Sequence, residues 1–325
     1  MMDGYSLTLL FAIVWLATFL PCWLLLLKLL AMAVSEKITL RFVGYFVLYR
    51  VLIVLPYVVL LVFGRGTLPD LAEALIVGIV VAGLSLSMVR FFFKNNVITF
   101  LWWGYGYFYD GLMYFKPYTR LIDSVVGISN TVVPEPKTIL ELGSGTGNLL
   151  AALQTAYPDA TITGVDNSYS MMRVAKNKNP QIKLVKADIV DFLDTNKNRY
   201  DLIVMQNSLY AVKNREYFWK QLHGALSGEG AVVISNSDKP GSKSIIQEHL
   251  RYGKWYNLLH PKLIVVGIID SFISQLSSAG AFSFLSPQQI KNESKHYFSM
   301  SQYKRDYGNV NITFYLKPYK PGSDL

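Results

Sequence analysis

Thr138-Ile-Leu-Glu-Leu-Gly-Ser-Gly-Thr-Gly-Asn148 is the stretch on which the reading of the chain turns. A short apolar run, Thr138–Leu142, leads into glycines at 143, 145 and 147, and a helical pattern follows over Asn148–Tyr157. Glycines at such a turn let the backbone fold sharply and approach a ligand with no Cβ in the way. A dinucleotide fingerprint would need a glycine at position 148, where the chain has Asn148. A phosphate-binding P-loop would need Gly-Lys-Ser/Thr, which is absent.

Working outward, strands and helices alternate. Pro117 suits the first turn of a helix whose stripe is Tyr118, Leu121, Ile122, Val125 and Val126. After the glycine turn come a strand at Thr161–Val165, a helix at Ser168–Lys178, a strand at Lys183–Lys186 and a short helix near Ile189–Leu193. A strand at Asp201–Met205, a helix at Arg215–Leu226 and a strand at Ala231–Ser235 complete the series. This alternation predicts an α/β fold, a parallel sheet covered by helices on both faces. Ligands in such sheets bind beyond the carboxyl ends of the strands.

The chemistry-bearing residues fall at those ends. Asp166 closes the second strand, about 20 positions after the glycine turn, where a carboxylate can accept both ribose hydroxyls of a nucleoside. Asn167-Ser-Tyr-Ser-Met-Met172 follows it, Ala187-Asp-Ile189 follows the third strand, and Gln206-Asn-Ser-Leu-Tyr210 the fourth. The spacing G-x-G-x-G after an acidic residue resembles motif I of class I methyltransferases that use S-adenosylmethionine (SAM). The resemblance runs from about Tyr109 to Ser235 and extends to two terminal strands, Tyr297–Asp306 and Asn309–Lys317, with Tyr307-Gly308 as turn material. It implies a seven-stranded, mostly parallel Rossmann-like sheet with SAM as cofactor. In that family Glu141 would fix the methionine end of SAM, and Gly143, Gly145 and Gly147 would pass beneath it. Asp166 would meet the ribose, Asn167 would belong to the same cofactor site, Met171 would pack on the adenosine, and Asp188 and Ile189 would meet the adenine. Gln206 and Asn207 would line the cofactor, with Tyr210 and Tyr109 as candidate catalytic residues on the acceptor side. Lys295-His-Tyr-Phe298 departs from the family's usual Gly-Phe approach to strand six, which bears on the substrate side alone.

Composition sets this domain behind an apolar one. Of 325 residues 52% are hydrophobic, and the mean hydropathy is +0.29. The excess lies in residues 1–93, read as a transmembrane region of about three helices at about 7–27, 42–63 and 71–89. The first run has about the 20 residues needed to cross the hydrocarbon core. The second contains Arg50 and Pro56; an arginine at that depth costs a few kcal/mol unless it snorkels to the interface. Lys28, Lys37 and Arg41 follow the first run, and Arg90 and Lys94 the third, which puts the N-terminus outside and the methyltransferase domain in the cytoplasm. Ala31-Met32-Ala33 looks like a signal-peptide cleavage site, but the opening residues carry no positive charge and the run is too long.

Residues 94–118 are read as an aromatic connector, either lying at the membrane interface or packed on the domain. The domain itself is residues 119–325, with a lid-like insertion at about 239–285. The insertion holds Arg251, Lys254, Tyr252, Trp255 and Tyr256 ahead of the apolar Leu263–Ile269. Such a basic, aromatic face followed by an apolar helix reads either as a lid touching lipid headgroups or as a buried helix with a solvated charged edge. Ser286-Pro287 would cap a following helix, Gln288–Lys295.

The 31 basic against 22 acidic side chains come with no nucleic-acid motif, so the bilayer and a lipophilic acceptor are the expected partners. The single cysteine, Cys22, excludes a disulfide within one chain. His223, His249, His260 and His296 follow no ligand spacing, and no metal is expected. Three readings remain: a methyltransferase acting on a lipid or membrane-associated small molecule, one acting on lysine of a membrane protein, and a SAM-binding membrane protein without catalysis.

Overall fold

A computed structural model describes residues 105–239, 242–278 and 284–319, with scattered positions between 9 and 55. The chain divides into two compact units. One comprises Met1–Ile98 with Ser271–Phe282, the other Thr99–Asp270 with Ser283–Leu325.

In the first unit every described position between 9 and 55 is helical. Leu25, Leu29 and Tyr49 are buried together, with Cys22, Tyr45 and Leu52 packed around them. The membrane spans expected over 7–27, 42–63 and 71–89 lie, apart from those positions, outside the described residues. Among the described residues no helix is long and apolar enough to cross a membrane.

The second unit is an α/β domain. Its elements run α1 (Lys116–Val132), β1 (Thr138–Leu142), α2 (Asn148–Ala156), β2 (Thr161–Asp166), α3 (Tyr169–Lys178), β3 (Lys183–Lys186) and α4 (Ile189–Thr195). They continue through β4 (Tyr200–Gln206), α5 (Arg215–Gly224), β5 (Leu226–Ser237), α6 (Ser242–Tyr252), α7 (Pro261–Ser278, whose residues from Ser271 on belong to the first unit) and α8 (Pro287–Ser294). The last are β6 (Phe298–Met300), β7 (Lys304–Asp306) and β8 (Asn311–Pro318). The sheet order is β3-β2-β1-β4-β5-β8-β6, with β7 also paired to β8. The first five strands are parallel, and β8 runs antiparallel to β5, β6 and β7.

The central strands β1 and β4 are almost wholly buried, as parallel strands covered on both faces must be. Leu140, Leu142, Ile203 and Met205 share one core with Phe218, Trp219 and Leu222 of α5 and Phe314 of β8. Burying side chains of this size contributes roughly 1.5–3 kcal/mol each. Register then aligns the strand ends: Leu142 stands beside Val165, Glu141 beside Val204, and Gln206 beside Ser235. The motifs therefore meet along one edge of the sheet.

The sheet has eight strands rather than the expected seven. The stretch predicted as one strand, Tyr297–Asp306, breaks into β6 and β7. Met300 pairs with Leu316 and Lys304 with Thr313, so three residues oppose two between those pairs, and the ladder bulges. Ser301 stitches the gap, its N–H donating to the Tyr315 carbonyl and its Oγ accepting from the Tyr315 N–H. Both pieces lie along the same side of β8, so the seven-position plan of the sheet is kept. Similarly, α5 stops at Gly224 because Leu226 pairs with Tyr200 and opens β5 early.

Candidate active site

The glycine turn is shaped by its neighbours. Gly143, Gly145 and Gly147 all have positive φ (78°, 53° and 75°), which a side chain resists. The Gly143 and Ser144 N–H groups donate to the Val165 carbonyl at 2.8 and 2.9 Å, tying the turn to β2. A Cβ on Gly143 would lie 2.3 Å from Ser208 Cβ, whereas one on Gly145 would meet nothing within 4 Å. The first glycine is there for packing and the second faces open space. Ser208, which sequence reasoning did not single out, fixes the β4 end by donating to the Leu142 carbonyl at 2.7 Å.

Asp166 does more than its expected ribose role. Its Oδ2 accepts from Gly145 N at 2.9 Å and its Oδ1 from Ser168 N at 2.7 Å, so it holds the turn and the approach to α3. Each carboxylate oxygen keeps a further lone pair for a ligand hydroxyl. Burial pushes its carboxyl up, and those two N–H bonds oppose the shift. Glu141 is buried and its Oε2 has no hydrogen-bond partner among the described residues. Burial, then the neighbouring Asp166, pushes its carboxyl well above the usual carboxylate range. Gln206 Oε1 at the end of β4 is also buried with no hydrogen-bond partner among the described residues. Orphaned buried acceptors are costly unless a ligand meets them. Glu141, Gln206 and the space before Gly145 fit a ligand bearing donors and positive charge.

The remaining sequence candidates are placed as follows. Met171 is buried on the first turn of α3, its N–H capped by Ser168 Oγ. Asp188 is exposed and caps α4, accepting from Val190 N at 2.8 Å. The Ile189 methyl faces Gly143 across the turn. Asn207 has a positive φ of 53° and is held by its neighbours: its Oδ1 accepts from Asn311 Nδ2 at 2.7 Å and its N–H donates to the Ser235 carbonyl. Asn311 was not anticipated, because β8 lies more than a hundred residues further along the chain.

The acceptor side brings together more tyrosines than the two predicted. Tyr105 and Tyr109 meet edge to face at 5.0 Å, and Tyr109 and Tyr118 at 5.9 Å. The Tyr109 and Tyr118 hydroxyls share a hydrogen bond, and Asn148 Nδ2 reaches the same Tyr118 hydroxyl at 3.5 Å. Tyr105 donates to Oδ1 of Asp270 on α7 at 2.5 Å. Tyr210 lies within electrostatic reach of both Asp270 and Asp166, and Tyr307 within reach of Asp270 and Tyr118. Burial raises every one of these phenols, Tyr118 to about 12, so all stay protonated near neutrality. Burial also pushes the Asp270 carboxyl up, to about 6, against the hydrogen bond from Tyr105. Asp270 had one visible signal in the sequence: it is the lone carboxylate in the apolar run from Leu263 to Ile273.

Segment and insertion lock these groups in place. Asp110 accepts from Thr146 Oγ1 at 2.6 Å and pairs with Lys178 at 2.9 Å, which fastens the 3-10 turn Tyr109–Tyr114 over the glycine loop. His249 of α6 is fully buried, stacks on Phe115 at 5.0 Å, accepts from Lys116 N and contacts the Lys254 carbonyl. Both ring nitrogens are used, which makes it a structural residue. Glu248 accepts from Gly308 N and pairs with Arg120 at 2.7 Å. Among the described residues no cluster of His, Cys, Asp or Glu is arranged for a metal.

Comparison with known proteins finds relatives over this stretch of chain. Residues 139–230 match a family model described as a methyltransferase domain. A trans-aconitate 2-methyltransferase of Acidovorax sp. (strain JS42) is 30% identical over 129 residues, 39% of this chain and 49% of that protein. The chain thus spans about half the length of the curated relatives it matches. Two solved structures are similar at lower identity. The N-methyltransferase NodS of Bradyrhizobium japonicum WM9, in complex with S-adenosyl-L-homocysteine, is 12% identical with a TM-score of 0.44, covering 62% of this chain and 87% of that one. The plantazolicin methyltransferase BpumL, also with bound S-adenosyl-L-homocysteine, is 15% identical with a TM-score of 0.45, covering 65% and 88%. Over residues 139–230 the chain is similar to a methyltransferase domain, and a SAM cofactor of the kind that similarity implies would lie along this edge of the sheet.

Proposed function

We propose that the chain is a membrane-anchored, SAM-dependent methyltransferase acting on a lipid or another membrane-associated small molecule, with its catalytic domain on the cytoplasmic side. The observation that carries the cofactor half is the buried, partnerless Glu141 Oε2 beside a glycine turn that faces open space. SAM supplies a methyl carbon already activated by its sulfonium. The residues present have three tasks: to hold that cation, to aim the acceptor and to keep water out. Glu141 and Gln206 would hold the methionine end, Asp166 the ribose, and Asp188 with Ile189 the adenine.

The acceptor half is supported by two features. The first 93 residues carry three long apolar runs. The insertion also exposes Trp255, Tyr256, Leu259, Ile264 and Ile268 beside Arg251, Lys254 and Lys262, a combination suited to an anionic interface. The curated relatives are named for trans-aconitate, a tricarboxylate, yet the acceptor cluster here holds Asp270 and no ion-paired cation among the described residues. That chemistry does not favour a polyanion.

Methyl-labelled SAM incubated with membranes containing the chain tests this reading. Label is expected in the lipid extract. Label confined to the protein fraction would instead identify a membrane-protein methyltransferase.

A further inference from the structure

Four separate stretches of chain converge beyond the cofactor edge. Tyr105, Tyr109 and Tyr118 come from the segment before β1, Tyr210 from the end of β4, Asp270 from α7, and Tyr307 from the β7–β8 turn. Edge-to-face contacts at 5.0 and 5.9 Å turn successive ring faces at right angles, so the phenols form a corner and not a flat stack. Asp270 sits among them with Tyr105 as its hydrogen-bond donor, and among the described residues no basic side chain pairs with it. Asp270 is only partly buried, so its carboxylate, with no cation beside it among the described residues, is open to a cationic ligand. Aromatic faces around a single carboxylate are the recognition chemistry of an ammonium.

We infer, resting on the methyltransferase reading above, that the methyl acceptor is an amine nitrogen, which enters as its ammonium and is held by Asp270 and the phenol rings beside it, Tyr105 on its carboxylate and Tyr109 edge to face with Tyr105. One ammonium proton passes to the Asp270 carboxylate, which frees the nitrogen lone pair. The nitrogen then forms the N–C bond as the methyl carbon's bond to sulfur breaks, with the electron pair staying on sulfur. A neutral sulfide and a methylated ammonium result, and the proton on Asp270 returns to solvent. Tyr210 stands within electrostatic reach of Asp166 on the cofactor side and Asp270 on the acceptor side, where the two substrates must meet. The cationic product keeps the same aromatic and carboxylate partners, so repeated methylation of one nitrogen fits the site.

The probe is tetramethylammonium, titrated into the detergent-solubilised full chain loaded with S-adenosylhomocysteine and followed by saturation-transfer NMR. Tyr105 is in hydrogen-bond contact with Asp270, and Tyr109, Tyr210 and Tyr307 are within electrostatic reach of it; all are protonated phenols, so Asp270 supplies the titrating charge. Binding is expected to appear as pH rises through about 6 and to be lost below it. Asp270→Asn should weaken binding at pH 7.5 by about tenfold or more, the scale of one lost charge contact, with S-adenosylhomocysteine affinity unchanged. Tyr105→Phe removes the donor to the carboxylate and should move the pH midpoint upward; if Asp270→Asn does not fold, this variant decides. No binding of the probe, an Asp270→Asn affinity equal to wild type, or an unmoved midpoint in Tyr105→Phe overturns the inference and leaves the methyltransferase reading intact. No binding of S-adenosylhomocysteine by the wild type overturns both.

Discussion

Gly143 and Gly145 stand two residues apart with similar backbone angles and different reasons for lacking a side chain. An alanine at 143 would carry its Cβ at φ 78° to within 2.3 Å of Ser208 Cβ. The strained backbone costs roughly 1–2 kcal/mol, and forcing a carbon into a packed site adds about 1–3 kcal/mol. Gly143→Ala should therefore lower stability in urea by about 3 kcal/mol. Gly145→Ala carries the backbone strain alone, about 1–2 kcal/mol, because its Cβ meets no protein atom. Its larger effect should be on SAM, since that Cβ enters the space facing the turn. Equal stability losses in the two variants would contradict this division. At the same scale, Asp166 had been read as a ribose ligand, and its bonds to Gly145 and Ser168 give it a second task in the free protein.

The elements themselves were largely legible. Thr138–Leu142 and Lys183–Lys186 fall as the sequence predicts, and the capping box of Ser286 and Gln289 begins α8 at Pro287. Local signals sufficed there, because periodicity and caps act within a few residues. Ser286→Ala should lower stability by about 1 kcal/mol, read as a shifted urea midpoint with unchanged slope; no shift would mean that α8 is held by packing alone. The break between β6 and β7 was not legible, since a bulge depends on which residue of β8 each strand residue faces. The acceptor cluster was least legible of all. Tyr210 was visible from its place just after β4 and Tyr109 from the aromatic connector, but Tyr105 and Asp270 are 165 residues apart and are joined only where α7 meets that connector. Long-range pairs of this kind leave no periodic trace in a single sequence.

Across the whole molecule, the chain joins an apolar N-terminal stretch to a basic α/β domain whose cofactor edge is built from three carboxylates at strand ends. Glu141, Asp166 and Asp188 sit on β1, on β2 and after β3; Glu141 pairs with Gly164, which leaves Asp166 two residues further along β2. That arrangement makes a definite claim: the full chain binds SAM at this edge. Isothermal calorimetry of the detergent-solubilised chain with SAM tests it most directly. The account predicts one site per chain, with affinity reduced at least about tenfold in Asp166→Ala, the scale of losing a hydrogen-bonded charge. Absence of binding by the wild type, or undiminished affinity in Asp166→Ala, would contradict it.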